Sequence, residues 1–270
     1  MAPDLVKEDN LLALHFAGDG TASASTIAAF YREEASKNGA ELIEANVTEI
    51  CQLDRNISGV MTSSGFIQAK EVIIATGAWA MQLCNLDVPV PVIPVAHPYM
   101  YGEYHEPNPQ KYPFVRWPEY LVYSRDHGPF YGLGSYNHKP LYQKPGETAI
   151  GDWAGHFDIT LNRALSLIPE KTKLVPREKF NGIFSMTPDN MPLVGKVSSV
   201  NGLYMAAAVW ITHAAGSAKF LIQIMKGETV DVATQRALDP NRFKGRDMET
   251  LIKQALDGYN HIYKTQENSE

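Results

Sequence analysis

Cysteine is scarce in this sequence, and its scarcity excludes two kinds of site. The 270 residues contain two cysteines, Cys51 and Cys84, which are too few for a disulfide framework or a thiol-rich metal centre. The eight histidines show no H-x-x-x-H or comparable carboxylate spacing that would indicate metal ligands. We therefore expect no metal.

Long apolar runs and an excess of basic residues are also missing. No run approaches the ~20 apolar residues that a membrane-spanning helix needs, and the opening "MAPDLVKEDN" does not have the order of a secretory signal. The formal net charge is −6 and the 24 basic residues are scattered, which argues against nucleic acid. We expect a cytoplasmic protein with a small-molecule substrate, and neither nucleic acid nor membrane as a partner.

A glycine-rich phosphate loop is the third absence. The segment "EVIIATGAWA" (71–80) has the pattern of a buried strand that stops at Thr76-Gly77, where a small residue lets the backbone approach a ligand. In nucleotide-binding proteins a G-x-G-x-x-G loop comes earlier in the chain, but no such spacing precedes this strand. The early "GDGTASAS" (18–25) predicts a turn and a helix cap instead. "LGSYN" does not match the G-x-S-x-G of a hydrolase.

The rest of the chain predicts an α+β protein. A helix is predicted over "STIAAFYREEASKNGA" (25–40), where Ile27, Phe30 and Tyr31 recur at helical spacing after a Ser25 cap. A short strand (40–45) and an antiparallel meander follow, leading into the strand at 72–75. Residues 89–180 hold most of the prolines and aromatics and predict an inserted antiparallel sheet. The predicted domains are therefore a layer of residues 1–88 and 181–245, a sheet domain of residues 89–180, and a C-terminal helix and tail of residues 246–270. The spacing of this last helix places one apolar stripe on a single face, formed by Met248, Leu251, Ile252, Ala255 and Tyr259.

A second stretch places small residues at a helix start. In "FSMTPDNMPLVGKVSSVNGLYMAAAVWITHAAGSAKFL" (184–221), an apolar strand after Gly202 leads through a turn at Thr212–Gly216 into a helix. A helix start offers unpaired N–H groups and positive potential, which suit an anion or an electron-rich carbonyl. Small side chains at that turn would let a flat ring approach the backbone.

These two stretches resemble the D-amino-acid oxidase-like superfamily of flavoproteins, in the branch that contains dimethylglycine and sarcosine dehydrogenases. "PVIPVAHPYMY" (91–101) and "ALDPNRF" (237–243) are similar to that branch as well, and the resemblance runs from about Gly18 to Phe243. It implies a partial FAD-binding α/β layer with an inserted antiparallel substrate-binding sheet. The residues that it implies for the cofactor are Val47, Thr76, Gly77, Trp79, Asp189, Trp210, Thr212, His213 and Gly216, and His213 is also the catalytic candidate.

The chemistry that the resemblance implies is removal of a hydride from the carbon next to an amine nitrogen, carried out by the flavin. Arg116 and Arg125 are candidate forks for the substrate carboxylate, because guanidinium groups bind carboxylates through two hydrogen bonds. The other candidates for the substrate face are His97, Tyr99, Tyr131, Tyr136 and His138. The alternative for each aromatic residue is an ordinary place in the core, and for His213 it is a helix-capping or packing role.

The sequence departs from the family pattern at its beginning, because the strand and G-x-G-x-x-G loop that hold the ADP half of FAD are not in it. Three explanations are open: a fragment of a full oxidase, one subunit of a split enzyme whose second chain supplies the segment, or a relic that no longer binds FAD. The first two are favoured, because an absent central strand would leave an exposed sheet edge. The predicted function is FAD-dependent oxidation of the C–N bond of a secondary or N-methylated amino acid. The alternative is a catalytically silent paralogue or an assembly subunit that cannot bind FAD alone.

Overall fold

The computed structural model describes residues 2–7, 12–83, 89–172 and 174–262. It divides into two compact units, each of which combines distant parts of the chain. The sheet unit consists of Met1–Ala22, Pro94–Phe184 and Leu256–Glu270, and the layer unit consists of Ser23–Ile93 and Ser185–Ala255. A search of the described residues for a helix long and apolar enough to cross a bilayer found none.

The elements are numbered in chain order. The helices are α1 (Ala24–Lys37), α2 (His156–Leu165), α3 (Ala214–Met225), α4 (Val232–Leu238) and α5 (Met248–Tyr259). The strands are β1 (Val47–Leu53), β2 (Asn56–Thr62), β3 (Gly65–Gln68), β4 (Val72–Ile74), β5 (Ile93–Gly102), β6 (Val115–Trp117), β7 (Val122–Asp126), β8 (Tyr131–Ser135), β9 (Ile150–Gly151), β10 (Pro176–Met186), β11 (Leu193–Lys196) and β12 (Leu203–Ala207). Short 3₁₀ helices cover Gly77–Leu83, Pro118–Tyr120, Glu170–Thr172 and Ile211–His213.

The layer unit is built on a three-stranded sheet in the order β11-β12-β4. β4 runs parallel to β12, with Leu203 opposite Val72 and Met205 opposite Ile74. These short apolar strands form part of a buried core together with Leu193 of β11. Because β4 and β12 are parallel neighbours, the segments that follow their carboxyl ends emerge at the same edge of the sheet.

The antiparallel meander predicted before β4 is present as the sheet β1-β2-β3. The prediction of a strand at residues 40–45 is wrong. These residues form no strand, and Leu42 and Ile43 are 54% and 53% exposed. Strand formation needs a partner edge, and none is paired with this segment in the described part of the chain.

Helix α1 is close to the prediction in position but differs in its surroundings. It begins after Ser23, whose hydroxyl accepts a hydrogen bond from the Thr26 N–H, so Ser23 and not Ser25 is the N-cap. None of its residues is buried, and Phe30 and Tyr31 are 57% and 52% exposed. The apolar stripe predicted on this helix therefore has no covering surface among the described residues.

The sheet unit contains the predicted antiparallel sheet, with six strands in the order β6-β7-β8-β5-β10-β9. One face packs on α2, where Met100, Leu133, Leu161 and Ala164 are at most 1% exposed. Strand residues alternate between the two faces, so the neighbours of Met100 and Leu133 along each strand lie on the opposite face.

The ends of the chain complete the sheet unit. Ala2 and Leu5 pack against Tyr131, and the Asp4 carboxylate accepts hydrogen bonds from the hydroxyls of Tyr112 and Tyr131. The N-terminal segment thus joins the sheet unit, whereas the sequence placed it in the layer with residues 1–88. The stripe predicted on α5 is buried: Leu251, Ala255 and Tyr259 are all 0% exposed.

Candidate functional site

The two parallel strands of the layer unit end in the same unusual backbone conformation. Gly77 follows β4 with φ of +52°, and Ala208 follows β12 with φ of +54°. A left-handed conformation costs a residue with a side chain about 1–3 kcal/mol, and such residues cluster at ligand sites. The conformation of Ala208 therefore marks this sheet edge as a candidate site.

A buried polar atom without a partner lies at the same edge. The Thr76 hydroxyl oxygen is buried and has no hydrogen-bond partner among the described residues. Buried hydroxyls are normally paired, so this one needs a ligand, a water or a further segment of protein as its partner. A Cβ atom added at Gly77 would meet no heavy atom within 4 Å.

The chain beyond β12 delivers an uncapped helix start. After the 3₁₀ helix Ile211–His213, α3 begins with His213 at its N-cap position, and the histidine side chain makes no capping hydrogen bond. The first turn of α3 consists of Ala214, Ala215 and Gly216, all exposed. The Ala214 N–H donates to the Ile211 carbonyl of the preceding 3₁₀ helix, and the helix dipole gives this end a positive potential.

Most of the predicted cofactor residues lie in the segments that follow the two parallel strands. Thr76, Gly77 and Trp79 follow β4, while Trp210, Thr212, His213 and Gly216 follow β12. Val47 begins β1, and that strand contacts the 3₁₀ helix Gly77–Leu83.

Asp189 lies in the turn before β11, which begins opposite the carboxyl end of β12, and its carboxylate is engaged by an arginine. Nε of Arg242 lies 2.8 Å from Oδ2 of Asp189 and a terminal nitrogen lies 2.9 Å from Oδ1, a two-bond fork. Burial alone would raise the pKa of Asp189, but the hydrogen bonds and charge of Arg242 outweigh it and hold the pKa below its usual range. The pair fastens the 187–191 turn to the "ALDPNRF" segment, and the contact of Asp189 with the cofactor stays a prediction.

The second candidate region is the aromatic face of the sheet unit, opposite the α2 core. It presents alternate residues of β5 (His97, Tyr99, Tyr101) and of β7 (Tyr123, Arg125). Phe180 and Phe184 of β10 contact these rings. We call these seven residues, together with Arg116 and Tyr136, the aromatic face.

Two glycines of β8 make room for the tyrosines. Gly134 lies opposite both Tyr99 and Tyr123, and Gly132 lies opposite Arg125. A Cβ atom at Gly132 would lie 1.9 Å from the Tyr99 hydroxyl, and one at Gly134 would lie 2.4 Å from the Tyr123 ring. The rings of Tyr99 and Tyr123 therefore lie across β8 where a side chain would otherwise stand.

We expect Gly132→Ala to lower the free energy of unfolding by about 1–3 kcal/mol, because the added methyl group forces Tyr99 from its place. Chemical denaturation measures the change. Gly146→Ala is the matched control, since a Cβ there meets nothing within 4 Å. Equal stability of the two variants would show that Tyr99 does not lie across Gly132.

Both predicted carboxylate forks belong to the aromatic face. Arg116 of β6 lies opposite Tyr123 in the sheet. Arg125 is half-buried, and its Nε is a buried donor with no partner among the described residues. An unpaired guanidinium donor beside aromatic rings suits a carboxylate ligand, which accepts from Arg through paired hydrogen bonds.

The predicted substrate residues are only partly together. His97, Tyr99 and Tyr136 share the aromatic face, and the His97 and Tyr136 rings are 4.6 Å apart. Tyr131 faces the other way, where it stacks on His105 at 4.1 Å and packs against Leu5. Its place in β8 reverses its direction relative to Gly132 and Gly134.

His138 lies behind the face and connects to it through Tyr259. Nε2 of His138 is 2.8 Å from the Tyr259 hydroxyl, which is 2.5 Å from Nδ1 of His97. Nε2 of His97 is 2.6 Å from the Tyr123 hydroxyl. Neither Tyr123 nor Tyr259 is among the predicted site residues, although Tyr123 alternates with Arg125 and Tyr259 ends the predicted apolar stripe of α5.

Burial keeps both histidines of this network neutral. Desolvation, with a smaller contribution from His138, lowers the pKa of His97 to about 3. Desolvation also lowers the pKa of His138 to about 4, against a weaker opposing hydrogen bond to the Lys139 carbonyl.

We therefore expect the free energy of unfolding to fall between pH 7 and pH 5. At pH 5 the unfolded chain protonates both histidines, whose unfolded pKa is about 6.5, while the folded chain keeps them neutral. Acidification thus favours the unfolded state by ~2 kcal/mol for each histidine and ~4 kcal/mol for both. Urea denaturation at several pH values measures the slope, and His138→Gln should reduce it by about half. A stability that is flat over this range would contradict the burial of the pair.

The sequence of this chain is similar to those of known flavoproteins. Residues 1–224 match the family model described as DAO: FAD dependent oxidoreductase. The chain is 29% identical over 215 residues to human sarcosine dehydrogenase, an alignment that covers 74% of this chain and 23% of the relative. It is 29% identical over 210 residues to glycine oxidase of Geobacillus kaustophilus, covering 77% of this chain and 53% of the relative. It therefore spans about a quarter of the first protein and about half of the second.

Solved structures show the same fold. L-proline dehydrogenase from P. horikoshii superposes with a TM-score of 0.67 at 22% identity, covering 80% of this chain and 59% of that one. Glycine oxidase from Geobacillus kaustophilus gives 0.64 at 23%, covering 80% and 57%. Since the family model matches most of the chain, this protein belongs to the DAO family of FAD-dependent oxidoreductases.

Proposed function

We propose that this chain forms part of a flavoenzyme that oxidises the C–N bond of a secondary or N-methylated amino acid. The observation that carries the proposal is the edge where β4 and β12 end side by side, with the orphaned Thr76 hydroxyl and the uncapped start of α3. The relatives named for sarcosine, glycine and L-proline support an amino-acid substrate.

The residues at that edge fit FAD. The buried Thr76 hydroxyl can pair with a polar group of the cofactor, and the space beside Gly77 and Gly216 allows close approach of the backbone. The positive end of the α3 dipole would stabilise electron-rich atoms of the flavin ring placed beside it. His213 is exposed at the N-cap, where its ring nitrogens could contact cofactor or substrate.

When bound, the flavin supplies the oxidising equivalent, accepting a hydride from the carbon next to the amine nitrogen. We assign the remaining tasks to this chain's own residues. Arg125 holds the substrate carboxylate, and Arg116 of the same face supplies a second positive charge. The tyrosine rings of the aromatic face exclude water, which strengthens the interactions with those charges.

The layer unit needs one more strand for this function. β4 is the outermost strand of its sheet in the described part of the chain, and Ile73 is 41% exposed. The Val72 N–H donates to the Gly202 carbonyl of the β12 side, so the alternate backbone groups at Ile73 point away from β12. We propose that a glycine-rich strand from outside residues 1–270, in the same polypeptide or in a second chain, pairs with this edge.

The same edge also favours the second candidate function, a catalytically silent paralogue or an assembly subunit that cannot hold FAD alone. Exposed Phe30 and Tyr31 on α1 add to the apolar surface that such a subunit would offer to a partner.

The test is the visible spectrum of the purified chain with added FAD, followed by anaerobic addition of N-methylglycine. The proposal predicts retained flavin bands that bleach with the amino acid. Retained flavin that does not bleach would support the silent paralogue. A colourless protein would support the assembly subunit, unless a glycine-rich strand-turn-helix encoded upstream in frame restores the colour.

A further inference from the structure

Four hydrogen bonds form a continuous chain through the sheet unit. The Tyr123 hydroxyl is 2.6 Å from Nε2 of His97, and Nδ1 of His97 is 2.5 Å from the Tyr259 hydroxyl. The Tyr259 hydroxyl is also 2.8 Å from Nε2 of His138, whose Nδ1 is 2.9 Å from the Lys139 carbonyl oxygen. His97, His138 and Tyr259 are buried, at 5%, 8% and 0% exposure.

Counting the hydrogens fixes the direction of every bond. The Lys139 carbonyl can only accept, so Nδ1 of His138 carries the hydrogen, and Nε2 of this neutral ring must accept. The Tyr259 hydroxyl therefore donates to His138. Because this hydroxyl has only one hydrogen, its oxygen accepts the hydrogen bond from Nδ1–H of His97. Nε2 of His97 is then an acceptor, and the Tyr123 hydroxyl donates to it.

This direction has a consequence at the aromatic face. The hydrogen of the Tyr123 hydroxyl is committed inward to His97, so toward a ligand the oxygen can act only as an acceptor. Arg125 is the next residue on the same face of β7, about 7 Å along the strand. Tyr123 thus offers an acceptor for an amine N–H, and Arg125 offers donors for a carboxylate. These are the two polar groups of an amino acid.

We infer that Tyr123 receives the amine N–H of the substrate, and that Tyr259 is the positioning residue that gives Tyr123 this polarity by fixing the tautomer of His97. The inference rests on the proposed amino-acid substrate and names the group that selects it. In a ligand with an ether oxygen in place of the amine, that oxygen would face the Tyr123 hydroxyl oxygen. Both atoms would be acceptors, and such a mismatch at a polar site is strongly disfavoured.

Removing the Tyr259 hydroxyl should reverse the direction of the hydrogen bond between His97 and Tyr123. In Tyr259→Phe, Nδ1–H of His97 would be a buried donor without an acceptor, which is costly. The ring avoids this by moving its hydrogen to Nε2, where it donates to Tyr123. The hydroxyl hydrogen of Tyr123 is then released toward the ligand, while His138 keeps its Nδ1–H bond to the Lys139 carbonyl.

Nitrogen-15 NMR of the imidazole rings tests the tautomers in the full chain. We expect His97 and His138 both to be neutral Nδ1–H tautomers at pH 7 in the wild type. In Tyr259→Phe only His97 should change, to Nε2–H. Tyr120→Phe is the control, because Tyr120 is 55% exposed and belongs neither to the aromatic face nor to the hydrogen-bond chain, and it should leave both tautomers unchanged. An Nε2–H tautomer of His97 in the wild type would overturn the inference.

Binding of N-methylglycine and of methoxyacetate, which has oxygen in place of the N–H, tests the polarity at the ligand. We expect the wild type and Tyr120→Phe to prefer N-methylglycine by about 100-fold, and Tyr259→Phe to lose at least about tenfold of that preference. Tyr123→Phe should lose the preference with both tautomers unchanged, which keeps the test open if Tyr259→Phe does not fold. A preference that survives Tyr123→Phe, or a wild type that binds neither ligand, would overturn the assignment. Neither readout needs flavin or turnover, so a failure of the oxidase proposal is seen separately.

Discussion

Replacement of Arg125 by methionine is expected to raise the dissociation constant for N-methylglycine roughly 30- to 150-fold, the equivalent of about 2–3 kcal/mol. The reason is that Nε of the half-buried guanidinium has no partner in the described part of the chain, and that Arg125 lies opposite Gly132 on the aromatic face. Methionine keeps most of the apolar stem and removes the charge and the donors. Titration calorimetry or NMR measures the change without turnover.

Arg177→Met is the control for general loss of positive charge. Arg177 is the second residue of β10 in the same unit, and its guanidinium stacks 4.2 Å from the centre of the Phe130 ring. We expect its replacement to change the affinity less than about twofold, in line with a surface charge. If the two variants lose affinity equally, Arg125 is not the carboxylate fork.

Replacing Gly216 with leucine separates cofactor binding from folding. Gly216 is the third residue of α3, it is exposed, and a Cβ there meets nothing within 4 Å. Glycine disfavours a helix by about 0.5–1 kcal/mol, so the variant should be as stable as the wild type or slightly more stable. The leucine side chain would occupy the space proposed for the flavin ring, and we expect the FAD affinity to fall at least about tenfold.

The matched control is Ala218→Leu, two residues further along the same helix and also exposed. It should change neither stability nor FAD affinity appreciably, because Ala218 lies outside the uncapped first turn. Melting curves and FAD titrations of the two variants give the comparison. Unchanged FAD affinity in Gly216→Leu would place the flavin elsewhere.

Local pattern was sufficient for much of the fold. The turn residues and alternation before β4 predicted the antiparallel meander, and the spacing of Leu251, Ala255 and Tyr259 predicted the buried face of α5. These features depend on neighbours in sequence, because a side chain's direction follows from the period of its own element. The position of the helix after Thr212 was predictable for the same reason.

Long-range pairing could not be predicted in this way. Tyr131 was placed with the substrate residues, yet the register of β8 turns it to the other face. Tyr259 contacts His97 across 162 residues of sequence, so no local pattern could reveal the hydrogen-bond chain. The stripe on α1 was correctly identified as apolar, but its covering surface is not among the described residues.

The central claim is that the segments after β4 and β12 form one wall of a flavin site, and the most direct measurement is an amide NMR titration of the labelled chain with FAD. We expect the signals of Thr76, Gly77, Ala208 and His213–Gly216 to shift together and to saturate with one dissociation constant. An NMR titration detects weak binding, so it tests the site even if tight binding of FAD needs a further strand. Shifts confined to one of the two segments, shifts only in the sheet unit, or no shifts at millimolar FAD would contradict the claim.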